Sequence, residues 1–391
     1  MAILLAILAF GLCVLTLMAV AQRRQLATTM PSPPQVLPGV SILKPMKGVD
    51  PGLAENLESF FQLDYPDYEV LFGVDDPDDP AGAFALRIAA AHPNVRSCVV
   101  VDARDVGFNP KVNNLARLLR HSTHEILWIS DSNTRVAPDT LRDLVAHLEQ
   151  PGVGLVSSPF RGIGTRGLGG ACESLQLNTF VMGGVSAAHR LLKEVCVVGK
   201  SMLLRRSTLS KLGGFAFLGR FLAEDQVCGE EVARLGLGVT VSGRAIDNVL
   251  GNLPVQAFLA RHLRWARIRR RMKPAAYAGE VLLNPVFVAV GAALADRTVE
   301  SLVLAVAVLL LKSVLDAAGE RSTAVRRSLL VYPFLTLIKD LLVGLAWVVP
   351  FLSTSVTWRG NRFHIGSRTL LSPVPSPTTA ILGRASAEAS G

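Results

Sequence analysis

ILWISDSNTRVAPDTL (126–141) is the stretch on which the fold turns. A short apolar run ends abruptly at Asp131 in a string of turn-formers, and a helical pattern, PDTLRDLVAHLEQ (138–150), follows. This reads as a buried strand that hands one carboxylate to a polar turn before a helix. The same grammar repeats outward. Upstream, VSILKP is a β-rich run with a turn expected at Lys44–Pro45. YEVLFGV (68–74) ends in DDPDDP (75–80), and VRSCVVVD (95–102) is a further strand. Helices are expected over 52–62, 81–92 and 111–120, and a strand over VGLVSSP (153–159). Alternating strands and helices predict a parallel sheet covered by helices. In such sheets ligands sit beyond the carboxyl ends of the strands, where Asp75 to Asp79 and Asp131 fall. No GxGxxG follows the first strand, which argues against a Rossmann dehydrogenase. RGIGTRGLGG (161–170) follows a later strand and reads as a mobile loop.

Apolar character is concentrated at the two ends of the 391 residues, half of which are hydrophobic, with a mean hydropathy of +0.38. Residues 2–21 carry no charge, and residues 281–352 contain long apolar runs. The expected organisation is a transmembrane anchor (1–22), a Pro-rich linker (23–37), a globular catalytic domain (38–275), membrane-embedded helices (276–352) and a tail (353–391). Ala19-Val20-Ala21 has the form of a signal cleavage site. Arg23 and Arg24 after the apolar run favour instead a retained anchor, with its N-terminus outside and the domain inside. The net charge is +9, from 40 basic and 31 acidic residues. Arg261 to Lys273, Arg321, Arg326 and Arg327 adjoin apolar segments, so the charge points to a bilayer surface and not to nucleic acid. Stretches 281–294 and 299–315 are short for two spans. Lys339-Asp340 interrupts 328–352 and is expected at an interface or in a re-entrant hairpin. The five cysteines lack metal or disulfide spacing, and the four after Cys13 read as reduced core residues.

Several residues carry chemistry. Asp131 suits a divalent metal, Mg2+ or Mn2+, bridging a diphosphate. Asp75, Asp76, Asp78 and Asp79 suit a nucleotide, accepting from a uracil N–H and ribose hydroxyls. Lys111, in GFNPKVNNL at a helix start, suits a phosphate or a nucleobase carbonyl. Glu224 and Asp225 begin another helix, whose dipole would keep Asp225 ionised as a general base. Arg261, Arg264 and Trp265 share one helix face, giving two guanidinium groups for a diphosphate leaving group and an indole to stack on acceptor or sugar. Each has a blander reading: a turn residue, a solvated loop, a surface lysine, an N-cap, and a basic interface helix continuing as ARIRRRMK.

In order and spacing these pieces resemble the D,D,D,(Q/R)xxRW pattern of lipid-directed and processive GT-A glycosyltransferases. Residues 40–81, VGFNPKVNNL, ILWISDSNTRVAPDTL and WRGNRF (358–363) resemble the ceramide glucosyltransferases, glycosyltransferase family 21. The likeness covers about 38–275 and 331–365. It implies an α/β GT-A domain, a Rossmann-like mixed sheet flanked by helices, and inverting transfer from a UDP-sugar, usually UDP-glucose, to a ceramide hydroxyl. It places Asp79 in the nucleotide pocket, Asp131 at metal and diphosphate, Asp225 as the base, and Arg261, Arg264 and Trp265 in the RxxRW element. It also implies an integral membrane protein with its catalytic domain in the cytosol, at the inner membrane if the source is bacterial. Two departures stand out: Asn133 replaces the second carboxylate of a DxD, and Lys200 stands where animal relatives carry an uncharged residue, which bears on the acceptor pocket. Related bacterial proteins glycosylate hopanoids, which leaves the acceptor open. A processive polysaccharide synthase would carry Gln at position 261 and more spans. A lipid-binding scaffold on a dead transferase fold would not need Asp131, Asp225 and the RxxRW residues together.

Overall fold

The computed structural model describes residues 1–353, 355–358 and 361–373; Arg359 and Gly360 of WRGNRF, and residues 374–391 of the tail, lie outside the described residues. After helix α1 (Ala2–Leu26) the chain enters the sheet at β1 (Val40–Pro45), then alternates α2 (Leu53–Glu58), β2 (Tyr68–Val74), α3 (Pro80–Ala91), β3 (Arg96–Val101), α4 (Pro110–His121) and β4 (Ile126–Ser130). A two-residue strand β5 (Thr134–Arg135), α5 (Thr140–Leu148) and β6 (Val153–Ser157) follow. Lys44 and Pro45 extend β1 and do not turn, because Lys44 pairs across to Phe72 and Pro45 to Gly73. Local chemistry sets the helix starts. Asp79 caps α3 by accepting from the Ala81 N–H, and Pro80 fills the first turn. Asn109 caps α4 by accepting from the N–H groups of Lys111 and Val112, again with a proline next.

The central sheet has seven strands in the order β3-β2-β1-β4-β8-β6-β9, with β8 (Ser201–Arg205) and β9 (Gly238–Val241). Strands β1 to β4 are parallel, as expected, but β8 runs antiparallel to both β4 and β6. The register pairs Ser130 with Ser201, so the residue after β4 faces the residue before β8. Successive residues along β1 and β4 point to opposite faces, and both faces are covered. One face holds Ile42, Phe60, Phe72 and Trp128; the other holds Leu43, Leu71, Leu127 and Leu204.

The glycine-rich stretch is not a loop. It forms β7 (Phe160–Arg166), parallel to β10 (Ile246–Asn252), and opens helix α6 (Gly167–Gln176). Its glycines answer close approach: a Cβ on Gly169 would sit 2.4 Å from the Leu253 carbonyl oxygen. Helix α6 continues through π-helical turns into α7 (Met182–Ala187) and on to Leu192. Further on come α8 (Arg206–Lys211), α9 (Gly214–Leu218), α10 (Glu224–Arg234) and α11 (Val255–Met272). All five cysteines are free thiols; Cys172 and Cys228 are core residues, but Cys98 is exposed because it lies on edge strand β3.

Beyond α11 lie α12 (Pro274–Gly279), α13 (Pro285–Asp296), α14 (Val299–Ser322) and α15 (Tyr332–Leu352). Among the described residues three segments, α1, α14 and Leu329–Leu352, are long and apolar enough to cross a membrane, and Pro274–Leu283 with α13, bent by 69°, make a fourth when counted as one span. The C-terminal end of α1 docks on the domain through two glutamines. The Gln22 side-chain amide donates to the carbonyls of Asn178 (2.8 Å) and Gly319 (3.1 Å), and that of Gln25 to Val241 (2.7 Å). Helix α15 lies along α11. Tyr332 and Leu335 pack with Cys172 and Phe258 at one end, and the Arg270 guanidinium sits 4.9 Å from the Phe351 ring at the other. The chain then returns to the domain, where the Leu371 N–H donates to Arg220 O at 2.8 Å. Lys339 and Asp340 do not break the helix: they lie inside it, buried, against Lys312 and Asp316 of α14. Mutual pairing is what lets these charges stand in an apolar helix.

Candidate active site

Three lysines converge on Asp131. Lys111 Nζ lies 2.9 Å from its Oδ1 and Lys200 Nζ 3.0 Å from its Oδ2, while Lys44 Nζ donates to its backbone carbonyl at 2.9 Å. Lys200 also donates to Asn133 Oδ1 at 2.7 Å. The antiparallel β4–β8 register explains this: Lys200 precedes β8 as Asp131 follows β4. Lys200 therefore bridges the two side-chain oxygens of the DSN motif. Burial opposes ionisation of Asp131, but the Lys111 and Lys200 ammonium groups overcome it and hold its pKa well below the carboxylate range. Burial pushes the Lys200 pKa below the ordinary lysine value, against the pull of Asp131. Burial likewise lowers Lys44, whose ammonium lies 3.4 Å from the centre of the Phe60 ring.

Lys111 joins this centre to the start of α10. Its ammonium lies 3.3 Å from Glu224 Oε1 and donates to Gly199 O at 2.9 Å. Burial disfavours its charge, yet Asp131, Glu224 and Asp225 together raise its pKa above the ordinary lysine value. Asp225 accepts from the Gly199 N–H (2.6 Å) and from the Gln226 N–H (2.8 Å). The helix dipole does not decide its proton affinity: burial does, raising the pKa of Asp225 above the ordinary carboxylate, with Lys111 only partly offsetting it. Glu224 is raised by burial in the same way, and it accepts from the Asn109 side-chain amide at 3.0 Å.

On α11, Arg261 NH1 donates to Glu173 Oε1 at 2.8 Å, and His262 Nε2 lies 3.0 Å from Glu173 Oε2. Glu173 is fully buried on α6; burial opposes its charge, and His262 and Arg261 bring its pKa below the ordinary value. The Arg261 charge, after burial, is among the influences that lower Lys200. Arg264 lies one turn further on, half-buried. Trp265 packs on the core, edge-on to His262 with ring centres 5.4 Å apart.

The acidic turn divides. Asp75 Oδ1 takes Arg117 NH1 at 2.5 Å, and the same guanidinium reaches Asp105 at 2.8 Å, clamping the ends of β2 and β3 together. Asp76 accepts from the Asp78 N–H within the turn. Asp79, besides capping α3, accepts from the Gly48 N–H with both oxygens (3.0 and 2.9 Å), fixing the loop after β1. On that loop Asp50 Oδ2 accepts from Ser132 Oγ at 2.5 Å. Sequence reasoning missed Lys44, Asp50, Arg117 and Glu173. Glu173 alone left a signal, as a lone acid in an otherwise uncharged helix.

Among the described residues no group of three or more His, Cys, Asp or Glu forms a ready metal cage. The donor set still fits a hard divalent ion. Such ions bind through one or two protein oxygens plus substrate phosphates, and Asp131 and Asn133 already hold a cationic group between two oxygens.

The profile described as "Glycosyl transferase family 21" matches residues 2–371. This chain belongs to that family. It is 31% identical over 239 residues to "Ceramide glucosyltransferase 3" of Caenorhabditis elegans, covering 61% of this chain and 52% of the relative. It is 29% identical over 244 residues to "Ceramide glucosyltransferase 1" of the same organism, covering 62% and 52%. The chain thus spans about half the length of these relatives. A mannosyltransferase from Pyrobaculum calidifontis, solved with GDP-Man and Mn2+, superposes with a TM-score of 0.57 at 22% identity, over 87% of this chain and 98% of that one. That likeness shows the fold, the GT-A glycosyltransferase arrangement.

Proposed function

We propose that this family 21 protein is a glycosyltransferase that moves a hexose, glucose from UDP-glucose, with inversion to the primary hydroxyl of a membrane lipid, ceramide. The observation that carries the reading is the convergence of Asp131, Lys111 and the Glu224–Asp225 helix start with the RxxRW helix at one end of the sheet. The uridine lies beyond β2, where Asp75, Asp76 and Asp79 shape the pocket with Arg117. The diphosphate lies at the lysine cluster. A divalent ion, Mg2+ or Mn2+, would be held by Asp131 and the Asn133 amide oxygen and would neutralise diphosphate charge; Lys200 then turns to a phosphate oxygen.

Transfer is a single displacement. The acceptor oxygen forms its bond to the anomeric carbon as the bond to the UDP oxygen breaks. Asp225 takes the hydroxyl proton, and its raised proton affinity suits that task. Arg261, Arg264 and Lys111 stabilise the negative charge arriving on UDP. The domain faces the cytosol, where UDP-sugars are made, with residues 1–22 and the helices after 276 in the bilayer. Incubating the purified protein with UDP-glucose and short-chain ceramide, with Mn2+ or with EDTA, tests the reading. A β-linked glycolipid by NMR supports it; an α-linked product, or UDP release that ignores the lipid, refutes it.

A further inference from the structure

A narrow, open cleft lies between the catalytic domain and the membrane helices, bounded by Gln176 on α6, the 280–284 segment, Lys312 on α14, and the Lys339–Trp347 face of α15. We propose that it seats the head of a neutral, amide-bearing lipid, the acceptor of the reaction proposed above, on which this inference rests. Its charge is the first argument. Lys312 pairs with Asp316, and Lys339 Nζ donates to Asp340 Oδ1 at 2.5 Å and lies 3.5 Å from Asp316 Oδ2. At the rim, Glu280 is taken by Arg269 through two contacts of 2.8 Å. Two ammonium groups face two carboxylates, so the walls offer no net charge to draw an anionic phospholipid head.

The second argument is a free valence. Asp340 is buried, yet its Oδ2 has no hydrogen-bond partner among the described residues, with Lys312 Nζ standing 4.0 Å away. A buried carboxylate oxygen calls for an N–H or O–H donor. Val281, Leu283 and Val343 beside it are apolar and suit the start of an alkyl chain. A head with an amide N–H and a hydroxyl next to its chains satisfies both. A diacylglycerol does not, since its one hydroxyl is the reacting group and its esters donate nothing.

The third argument is position. Gln176 Oε1 accepts from Lys339 Nζ at 3.3 Å. One turn back on the same helix, Glu173 holds Arg261 of the RxxRW element. A polar chain therefore runs Asp340, Lys339, Gln176, α6, Glu173, Arg261, from the membrane face to the leaving-group site. This seats the head beside the helix whose guanidinium groups serve the reaction.

The test uses the full chain in nanodiscs with UDP-glucose and three acceptors: a short-chain ceramide, its N-methyl amide and dioctanoylglycerol. Wild type should show an acceptor KM roughly tenfold lower for the ceramide than for the N-methyl amide, the worth of one hydrogen bond to a charged group. Asp340→Asn should erase that difference. Val281→Phe, which fills the cleft and leaves the ion pairs intact, should raise the acceptor KM for every lipid, with the UDP-glucose KM unchanged in both variants. Both variants keeping the wild-type acceptor KM and preference would overturn the proposal while leaving the functional reading intact. Should Asp340→Asn misfold, Val281→Phe and a photoreactive ceramide decide. Cross-linking within 274–284 or 332–352 supports the seat even if the reaction is assigned wrongly, and labelling confined elsewhere overturns it.

Discussion

Asp225→Asn isolates the proposed base from everything around it. The carboxylate accepts one backbone N–H on each oxygen, from Gly199 at 2.6 Å and Gln226 at 2.8 Å. Asn keeps one acceptor and turns an NH2 toward the other N–H, a folding cost of about 1 kcal/mol. Removing a charge that burial already disfavours offsets part of that cost. Loss of a well-placed general base lowers kcat by ~100- to 10,000-fold, which is about 2.7–5.5 kcal/mol in the barrier. UDP affinity should hold, because Lys111, Lys200 and Arg261 are untouched. The pH profile gives an independent reading. A base acts deprotonated, and burial raises this pKa, so wild-type kcat/KM should rise with pH through an apparent pKa above the ordinary carboxylate value and then level. That limb should vanish in Asp225→Asn. Initial rates with UDP-glucose and short-chain ceramide across pH, beside calorimetric titration of UDP, make the measurement. A variant within a few-fold of wild type, or one that keeps the acidic limb, would refute the role given to Asp225.

Glu173→Gln should lower stability by up to about 3–5 kcal/mol, since it leaves Arg261 and His262 without their buried counter-charge, and should weaken UDP binding as Arg261 is released; thermal melts and calorimetry check this, and an unchanged melting temperature contradicts it. Lys200→Met should raise Mn2+ affinity in the nucleotide-free protein about tenfold, the worth of one modest ion pair freed from Asp131, by titration calorimetry; equal affinity in both proteins counts against a shared cation position. With α15 lying along α11, single cysteines at Leu330 and Leu352 in a cysteine-free background should both react with an impermeant maleimide from the catalytic-domain side of sealed vesicles. Reaction of position 352 from the opposite side alone would make α15 a true span.

The strands and helices from β1 to β6 were legible because apolar runs of strand length, proline and aspartate at helix starts, and turn clusters act within a few residues of one another. The same locality marked Asp131 and Asp225, each at an element boundary, and the helical spacing that puts the RxxRW residues on one face of α11. Only the tertiary structure turned β8 antiparallel, and with it brought Lys200 onto Asp131 across 69 residues of chain. The glycines at 161–170 looked like freedom because their side-chain loss is visible locally, while the carbonyl pressed against Gly169 comes from residue 253. Lys339 and Asp340 looked like a break in an apolar helix because their counter-charges, Lys312 and Asp316, lie on another one. Hydrophobic period and capping are properties of neighbours in sequence, and so the chain alone determines its elements and the residue types of its site. Desolvation and Coulomb pairing are properties of neighbours in space. The proton affinity of Asp225, the engagement of Arg261 by Glu173, and the charge balance of the cleft beside α14 and α15 were therefore decided only when the chain had folded.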